Sequence, residues 1–370
     1  MKLIPAPNII GITPYPPGKP MDELEREYGI TGSIKLASNE NPWGPSPKAV
    51  EAIASSLTGL HRYPDGSSFY LTEALAEWLG AEMNEIVLGN GSNEVIEFLV
   101  KAFVRNGDEV VTSHPSFLMY QKFVQVRGGK NTVIPLRNMN HDLAAIAATV
   151  TEKTRLIFMD NPNNPCGTFI GRDDFAEFLA MLPEQVIVVL DEAYVDFVDP
   201  GKRIDVLSYI RHPEGLPAVV SLRTFSKAFG LAGLRVGFGL MHRDIADLLH
   251  RVRQPFNINL LAQIGALAAL TDHDHYSMTI AETVNGRQWL SKMMEEIGCR
   301  PYPSQTNFFL IDVGGDATKL YEAMLFKGVI VRSMKAYGFP NFIRITVGTR
   351  EENQRFVTSL KECLGDLQYV

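Results

Sequence analysis

Cysteine is scarce. The 370-residue chain holds three, Cys166, Cys299 and Cys363, an odd number with no CxxC spacing. That pattern argues against a disulfide framework and points to a reducing, cytoplasmic setting. Long apolar runs are missing too: nothing approaches the ~18 uninterrupted residues of a membrane span, so no membrane partner is expected. At the N-terminus, MKLIPAPNIIGITPYPPGKP, prolines break every apolar run, and no signal-peptide core is expected. There is no surplus of positive charge, with Lys plus Arg at 35 against 42 for Asp plus Glu and a net charge of −7. A nucleic-acid partner is therefore not expected, although a local basic pocket remains compatible with the count. Neither an internal repeat nor a low-complexity tract is present.

What the chain does have is the composition of a globular protein, 45% hydrophobic and 21% charged. Its length exceeds what one compact core holds and suits two domains. Residues 1–30, Pro-rich and then charged, read as an arm leading into a short helix. Helical spacing at Tyr70–Leu79 and Asn93–Val104 alternates with short apolar runs at Glu85–Leu88, Glu109–Thr112, Thr132–Leu136, Arg155–Met159, Val186–Leu190, Ala218–Leu222 and Val236–Leu240. Consecutive apolar positions suit strands covered on both faces, and the alternation implies an α/β fold with a mostly parallel, seven-stranded sheet covered by helices. After Arg253-Gln254-Pro255 the character changes to helical stretches at Leu260–Leu270 and Glu282–Glu296. Short strands follow near Asn307–Asp312, Val329–Val331 and Phe342–Val347. The expected division is an arm at 1–30, a large domain at 31–259 and a smaller α+β domain at 260–370.

Three groups of polar residues fall at predicted strand ends, where open α/β sheets place ligands. Gly89-Asn90-Gly91-Ser92-Asn93 joins a strand to a helix, whose free N–H groups suit a phosphate; an ordinary strand–helix turn reads the same way. Asp191-Glu192-Ala193-Tyr194 follows the strand VIVVL. There Asp191 suits a protonated heterocyclic nitrogen and Tyr194 a phenolate oxygen, although a helix N-cap would also use that Asp. Arg223–Arg235 (RTFSKAFGLAGLR) follows AVVSL and gathers Thr224, Ser226 and Arg235, all phosphate-binding types, around Lys227. Lysine forms Schiff bases with carbonyls once burial or a nearby cation lowers its pKa. A lone loop lysine is usually solvated, but the conjunction of an amine, an acid, a phenol and phosphate ligands describes one molecule, pyridoxal 5'-phosphate.

The order of these motifs resembles the fold-type I aminotransferases, and within them is similar to the histidinol-phosphate aminotransferase family. The matching segments are LASNENPWGPSP (36–47), RYPD (62–65), NPNNP (161–165), DEAYVDF (191–197), SKAFGLAGLR (226–235) and FIRITVGTREE (342–352), spread over nearly the whole chain. The resemblance implies that Lys227 carries the cofactor as a Schiff base, that Asp191 pairs with its ring nitrogen, and that Asn164 and Tyr194 contact its phenolic oxygen. It implies a phosphate site from the main chain of Ser92 and Asn93 with Thr224, Ser226 and Arg235. Tyr63 would reach that phosphate from a neighbouring subunit, making the protein a homodimer with shared sites. Phe117 stands where a ring-stacking Tyr is usual, and Cys166 where Thr is more usual. Arg344, with Arg332, would bind the substrate carboxylate or phosphate, with Asn39 and a lid contact from Tyr15 as further substrate-side residues; outside this pattern both arginines would read as surface ion pairs. The implied reaction is glutamate-dependent transamination of imidazole acetol phosphate to histidinol phosphate, in histidine biosynthesis.

Rivals remain. An aromatic-amino-acid aminotransferase or a threonine-phosphate decarboxylase would share the lysine, acid and phosphate cradle, and Tyr337-Gly338-Phe339-Pro340 does not say which substrate is read. A ligand-binding regulator would need a DNA-binding module larger than the arm. A nicotinamide-dependent dehydrogenase is disfavoured because Gly89–Asn93 does not continue as a dinucleotide fingerprint. Asp272-His273-Asp274-His275 reads as a solvated turn between helices, with no metal site expected.

Overall fold

The computed structural model describes residues 3–14, 21–211 and 214–369. After a short strand β1 (Ile34–Lys35), the seven apolar runs become β2 (Ile86–Gly89), β3 (Glu109–His114), β4 (Lys130–Pro135), β5 (Thr154–Asp160), β6 (Ile187–Asp191), β7 (Ala218–Thr224) and β8 (Gly237–Leu240). They form one sheet in the order β2-β8-β7-β6-β5-β3-β4. The pairs from β7 through β4 are parallel, while β8 runs antiparallel to both β2 and β7.

The unbroken apolar runs are explained by cover on both faces. Alternate side chains of a strand point to opposite sides. Val188 and Leu190 enter a core built with the helices Phe69–Leu79, Arg172–Ala180 and Leu260–Leu270, whereas Ile187 and Val189 enter a second core with Ser92–Phe103, Met119–Arg127 and Arg243–His250. Neither face of β6 meets water, which is why Ile187, Val188, Val189 and Leu190 are apolar on consecutive positions.

A smaller antiparallel sheet has the order β12-β13-β10-β9, from β9 (Arg300–Pro301), β10 (Phe308–Asp312), β12 (Arg332–Ser333) and β13 (Phe342–Thr346). Its core joins Phe309, Ile311, Ile343 and Ile345 to Phe356 and Leu360 of the helix Arg350–Leu367. That helix opens with a capping box, Thr349 accepting from the Glu352 N–H and Glu352 from the Thr349 N–H. β1 pairs in parallel with β11 (Val329–Ile330), and Leu24, from the helix Met21–Tyr28, packs on Ala37, Leu325 and Ile330.

Ala262, Ala266 and Ala269 pack in the large-sheet core, and Leu36 packs in the small one. A helix reading LLAQIGALAAL is apolar on almost every side, and its Ala262, Gly265, Ala266, Ala269 and Leu270 are buried. One expectation needs correction: 272–275 is not a solvated turn. Asp272 is the buried N-cap of the helix His273–Glu296, accepting from the His275 N–H and, at 2.5 Å, from Ser46 Oγ. The two histidines form that helix's first turn. Among the described residues, no helix is long and apolar enough to cross a membrane.

Candidate active site

β5, β6 and β7 end together at Asp160, Asp191 and Thr224, with Asp160 and Asp191 in register. A cavity of about 410 Å³ opens at these ends, closed from the other side by Arg332 and Arg344 of the small sheet.

One wall is a cradle of donors. The helix Ser92–Phe103 starts at Gly91, whose φ of +77° is open to glycine, and a Cβ there would stand 2.5 Å from Arg235 Nη2. At Gly237 a Cβ would stand 2.3 Å from the Ser92 nitrogen, so β8 lies directly against the helix start. Arg235 itself adopts the left-handed φ of +60°, and its Nη1 donates to Ala232 O at 3.0 Å. Such strain collects at ligand sites. Thr224 and Ser226 line the same wall, with the Ser226 N–H donating to Thr224 Oγ1 at 3.1 Å. Asn93 Oδ1 is buried without a hydrogen-bond partner. Free helix N–H groups, two hydroxyls and a guanidinium make a fitting seat for a phosphate dianion.

The acid and the amine share this cavity. Asp191 is buried; Oδ2 accepts from Tyr120 Oη at 2.8 Å, and Oδ1 from the Ala193 N–H at 3.1 Å. Burial pushes its pKa up to about 7, aided by the negative charge of Asp160 and opposed by the Tyr120 hydrogen bond. A cation beside it would restore the carboxylate, as a protonated ring nitrogen does. Lys227 Nζ donates to Ser38 O at 3.3 Å and lies 5.6 Å from the centre of the Tyr194 ring. Burial, then the charge of Arg344, brings its pKa down to about 8, so an uncharged amine is accessible near neutrality. Tyr194 Oη accepts from Asn39 Nδ2 at 2.8 Å, and burial raises this phenol to about 12. Phe117 lines the cavity with its ring edge-on to Tyr120 at 5.4 Å.

The opposite wall belongs to the arginines. Arg344 is 7% exposed; Nη1 donates to Asn164 Oδ1 at 2.5 Å, Nη2 to Ala37 O at 2.8 Å, and the guanidinium lies over Phe308 at 5.1 Å. Arg332 is its cross-strand partner and also reaches the cavity. Asn39, at a left-handed φ of +54°, ties the N-terminal segment to β13 through Thr346 Oγ1, which accepts from its N–H at 2.9 Å.

The structure thus brings together Ser92, Asn93, Phe117, Asn164, Asp191, Tyr194, Thr224, Ser226, Lys227, Arg235, Arg332, Arg344 and Asn39. It does not bring in Tyr63, which is 83% exposed and stacks on Phe256 at 4.9 Å, outside this cavity. Tyr15 lies outside the described residues. Sequence reasoning missed Tyr120, Asp160, Ser38 and Glu40, which also line the cavity. Asp160 closes a strand directly before NPNNP, a readable signal, whereas Tyr120 stands one turn beyond Phe117 with nothing local to mark it. Asp160 anchors that loop, with Oδ1 accepting from Ser116 and Asn163 and Oδ2 from the Asn164 N–H.

Comparison with known proteins agrees with this geometry. The family aminotransferase class I and II matches residues 31–360. A histidinol-phosphate aminotransferase of Desulfotalea psychrophila is 64% identical over 370 residues, covering 100% of this chain and 98% of the relative. One from Moorella thermoacetica is 45% identical, covering 96% and 92%. The crystal structure of histidinol-phosphate aminotransferase from Sinorhizobium meliloti, in complex with pyridoxal-5'-phosphate, superimposes with a TM-score of 0.89 at 29% identity, covering 98% of this chain and 97% of that one.

Proposed function

Because the chain belongs to the class I and II aminotransferase family, we propose that it moves the amino group of glutamate onto imidazole acetol phosphate, giving histidinol phosphate and 2-oxoglutarate. Its cofactor is pyridoxal 5'-phosphate. The observation that carries the reading is one cavity with two anion-binding walls, Arg235 at Gly91 and Arg344 at Asn164, with Lys227 and Asp191 lining the same cavity. A cofactor phosphate and a substrate carboxylate or phosphate need separate seats, and this cavity offers them.

When bound, the cofactor supplies an aldehyde for the amine and an electron-accepting ring. Thr224, Ser226, Arg235 and the N–H groups at Ser92 and Asn93 hold its phosphate. Asp191 would keep a proton on the ring nitrogen, while Asn164 and Tyr194 would hold the phenolic oxygen. Arg344 and Arg332 orient the substrate so that its α-proton faces Lys227. The Lys227 amine would take that proton on Nζ and return it, as base and then acid. Phe117, which lines the cavity, would offer the ring an apolar neighbour.

A homodimer completes the proposal. Tyr63 stacks on Phe256 at the surface, and Leu57, Leu60 and Tyr70 are exposed in the same stretch, an apolar set that a second copy would cover. Tyr63 would then reach the partner's phosphate seat. Three free, buried cysteines fit a cytoplasmic enzyme. For domains we retain an arm at 1–30, a cofactor-binding domain and a C-terminal domain. The core packing favours moving 260–270 to the former.

Visible absorption of the purified holoenzyme tests the function. Histidinol phosphate should bleach the cofactor band at once, phenylalanine and threonine phosphate only feebly, and Lys227→Ala should abolish turnover. A band bleached by phenylalanine but untouched by histidinol phosphate would reassign the substrate.

A further inference from the structure

Tyr120 is completely buried, stacked on Phe158 at 4.8 Å and 6° and edge-on to Phe117. Phenylalanine would serve such packing as well. A buried hydroxyl, however, must find a partner, and this one donates to Asp191 Oδ2 at 2.8 Å. We propose that Tyr120 is a positioning residue: its hydroxyl fixes Asp191 as an oriented carboxylate, so that the proton shared with the cofactor ring stays on nitrogen. The inference rests on the reading that Asp191 faces that nitrogen.

The surroundings show why the carboxylate needs help. On β5, Asp160 is the register partner of Asp191, and Glu192 follows it in the chain; both negative charges favour the protonated acid. Glu192 is held by Arg223 at 3.1 Å and Ser221 at 2.5 Å. Asp160 is held by its loop and by His141 Nε2 at 3.3 Å. Those donors serve the neighbours and not Asp191. Among the described residues, the Ala193 N–H serves Oδ1 and the Tyr120 phenol serves Oδ2. Without the hydroxyl the carboxylate becomes more basic, and the shared proton moves from ring nitrogen toward Oδ2. A neutral ring is a poorer electron acceptor.

Holoenzyme loaded with pyridoxal phosphate carrying ¹⁵N in the ring gives the test. The nitrogen chemical shift is compared in the native protein, Tyr120→Phe and Asp191→Asn, together with cofactor dissociation constants. We expect Tyr120→Phe to move the shift toward the unprotonated value and to raise the dissociation constant roughly tenfold, with Asp191→Asn moving the shift further. If Asp191→Asn moves the shift while Tyr120→Phe matches the native protein in both measurements, the role of Tyr120 is overturned and the reading of Asp191 stands. If Asp191→Asn leaves the shift unchanged, the reading of Asp191 fails and takes the proposal with it.

Discussion

The two walls of the cavity are made in different ways. On the large-sheet side, Asp191, Thr224, Ser226 and Lys227 sit at or just beyond the ends of neighbouring parallel strands, and Gly91 and Gly237 lock the helix start against β8. On the small-sheet side, Arg332 and Arg344 project from an antiparallel pair, and Arg344 is tethered across the gap to Asn164 and Ala37. The first wall is set by the sheet that carries it. The second depends on contacts between distant segments. A cofactor that stays through many turnovers belongs on the first, and a substrate that comes and goes belongs on the second.

Single substitutions should break this contrast in order. Arg344→Gln removes a buried cation that reaches Asn164 and Ala37 across the cavity, so kcat/KM should fall about 100-fold or more, and added cofactor should not restore it. Steady-state kinetics at saturating cofactor checks this. Arg235→Gln should weaken cofactor binding roughly tenfold while leaving kcat/KM near native once cofactor is in excess, as a titration by absorbance would show. Equal losses in both variants under saturating cofactor would erase the distinction between the walls.

The pH dependence of cofactor capture by apoenzyme sharpens the same contrast. Only the uncharged Lys227 amine attacks an aldehyde. With its pKa lowered to about 8, by burial first and Arg344 second, the capture rate should climb with pH up to about 8 and then level off, not climb on to the ordinary lysine value of 10.5. In Arg344→Gln the inflection should move upward, because a neighbouring positive charge is gone. A stopped-flow series records both curves. The smallest effect is expected for Phe117→Tyr: the ring face is kept, so kcat/KM should change by no more than about twofold.

The large-sheet wall was legible in the sequence for a physical reason. Strands buried on both faces leave continuous apolar runs, and the polar residue ending each run marks the sheet's edge; Asp191 and Thr224 announce themselves this way. Arg344 was legible only through the FIRITVGTREE resemblance, since nothing local says that β13 faces Asn164. Tyr120 was missed because its partner is 71 residues away, and MYQK reads as an ordinary helix start. Asp272 was misread because an N-cap and a turn share the same residue types; the bond from Ser46, which buries it, joins segments 226 residues apart. Residues 260–270 pack on the large-sheet core, and a helix apolar on most sides does not say in the sequence which neighbours it meets.

Reductive trapping tests the central claim most directly. Holoenzyme treated with borohydride, digested and read by mass spectrometry should carry the pyridoxyl group on the peptide containing Lys227, and on no other lysine. A label elsewhere, or none, would contradict the account.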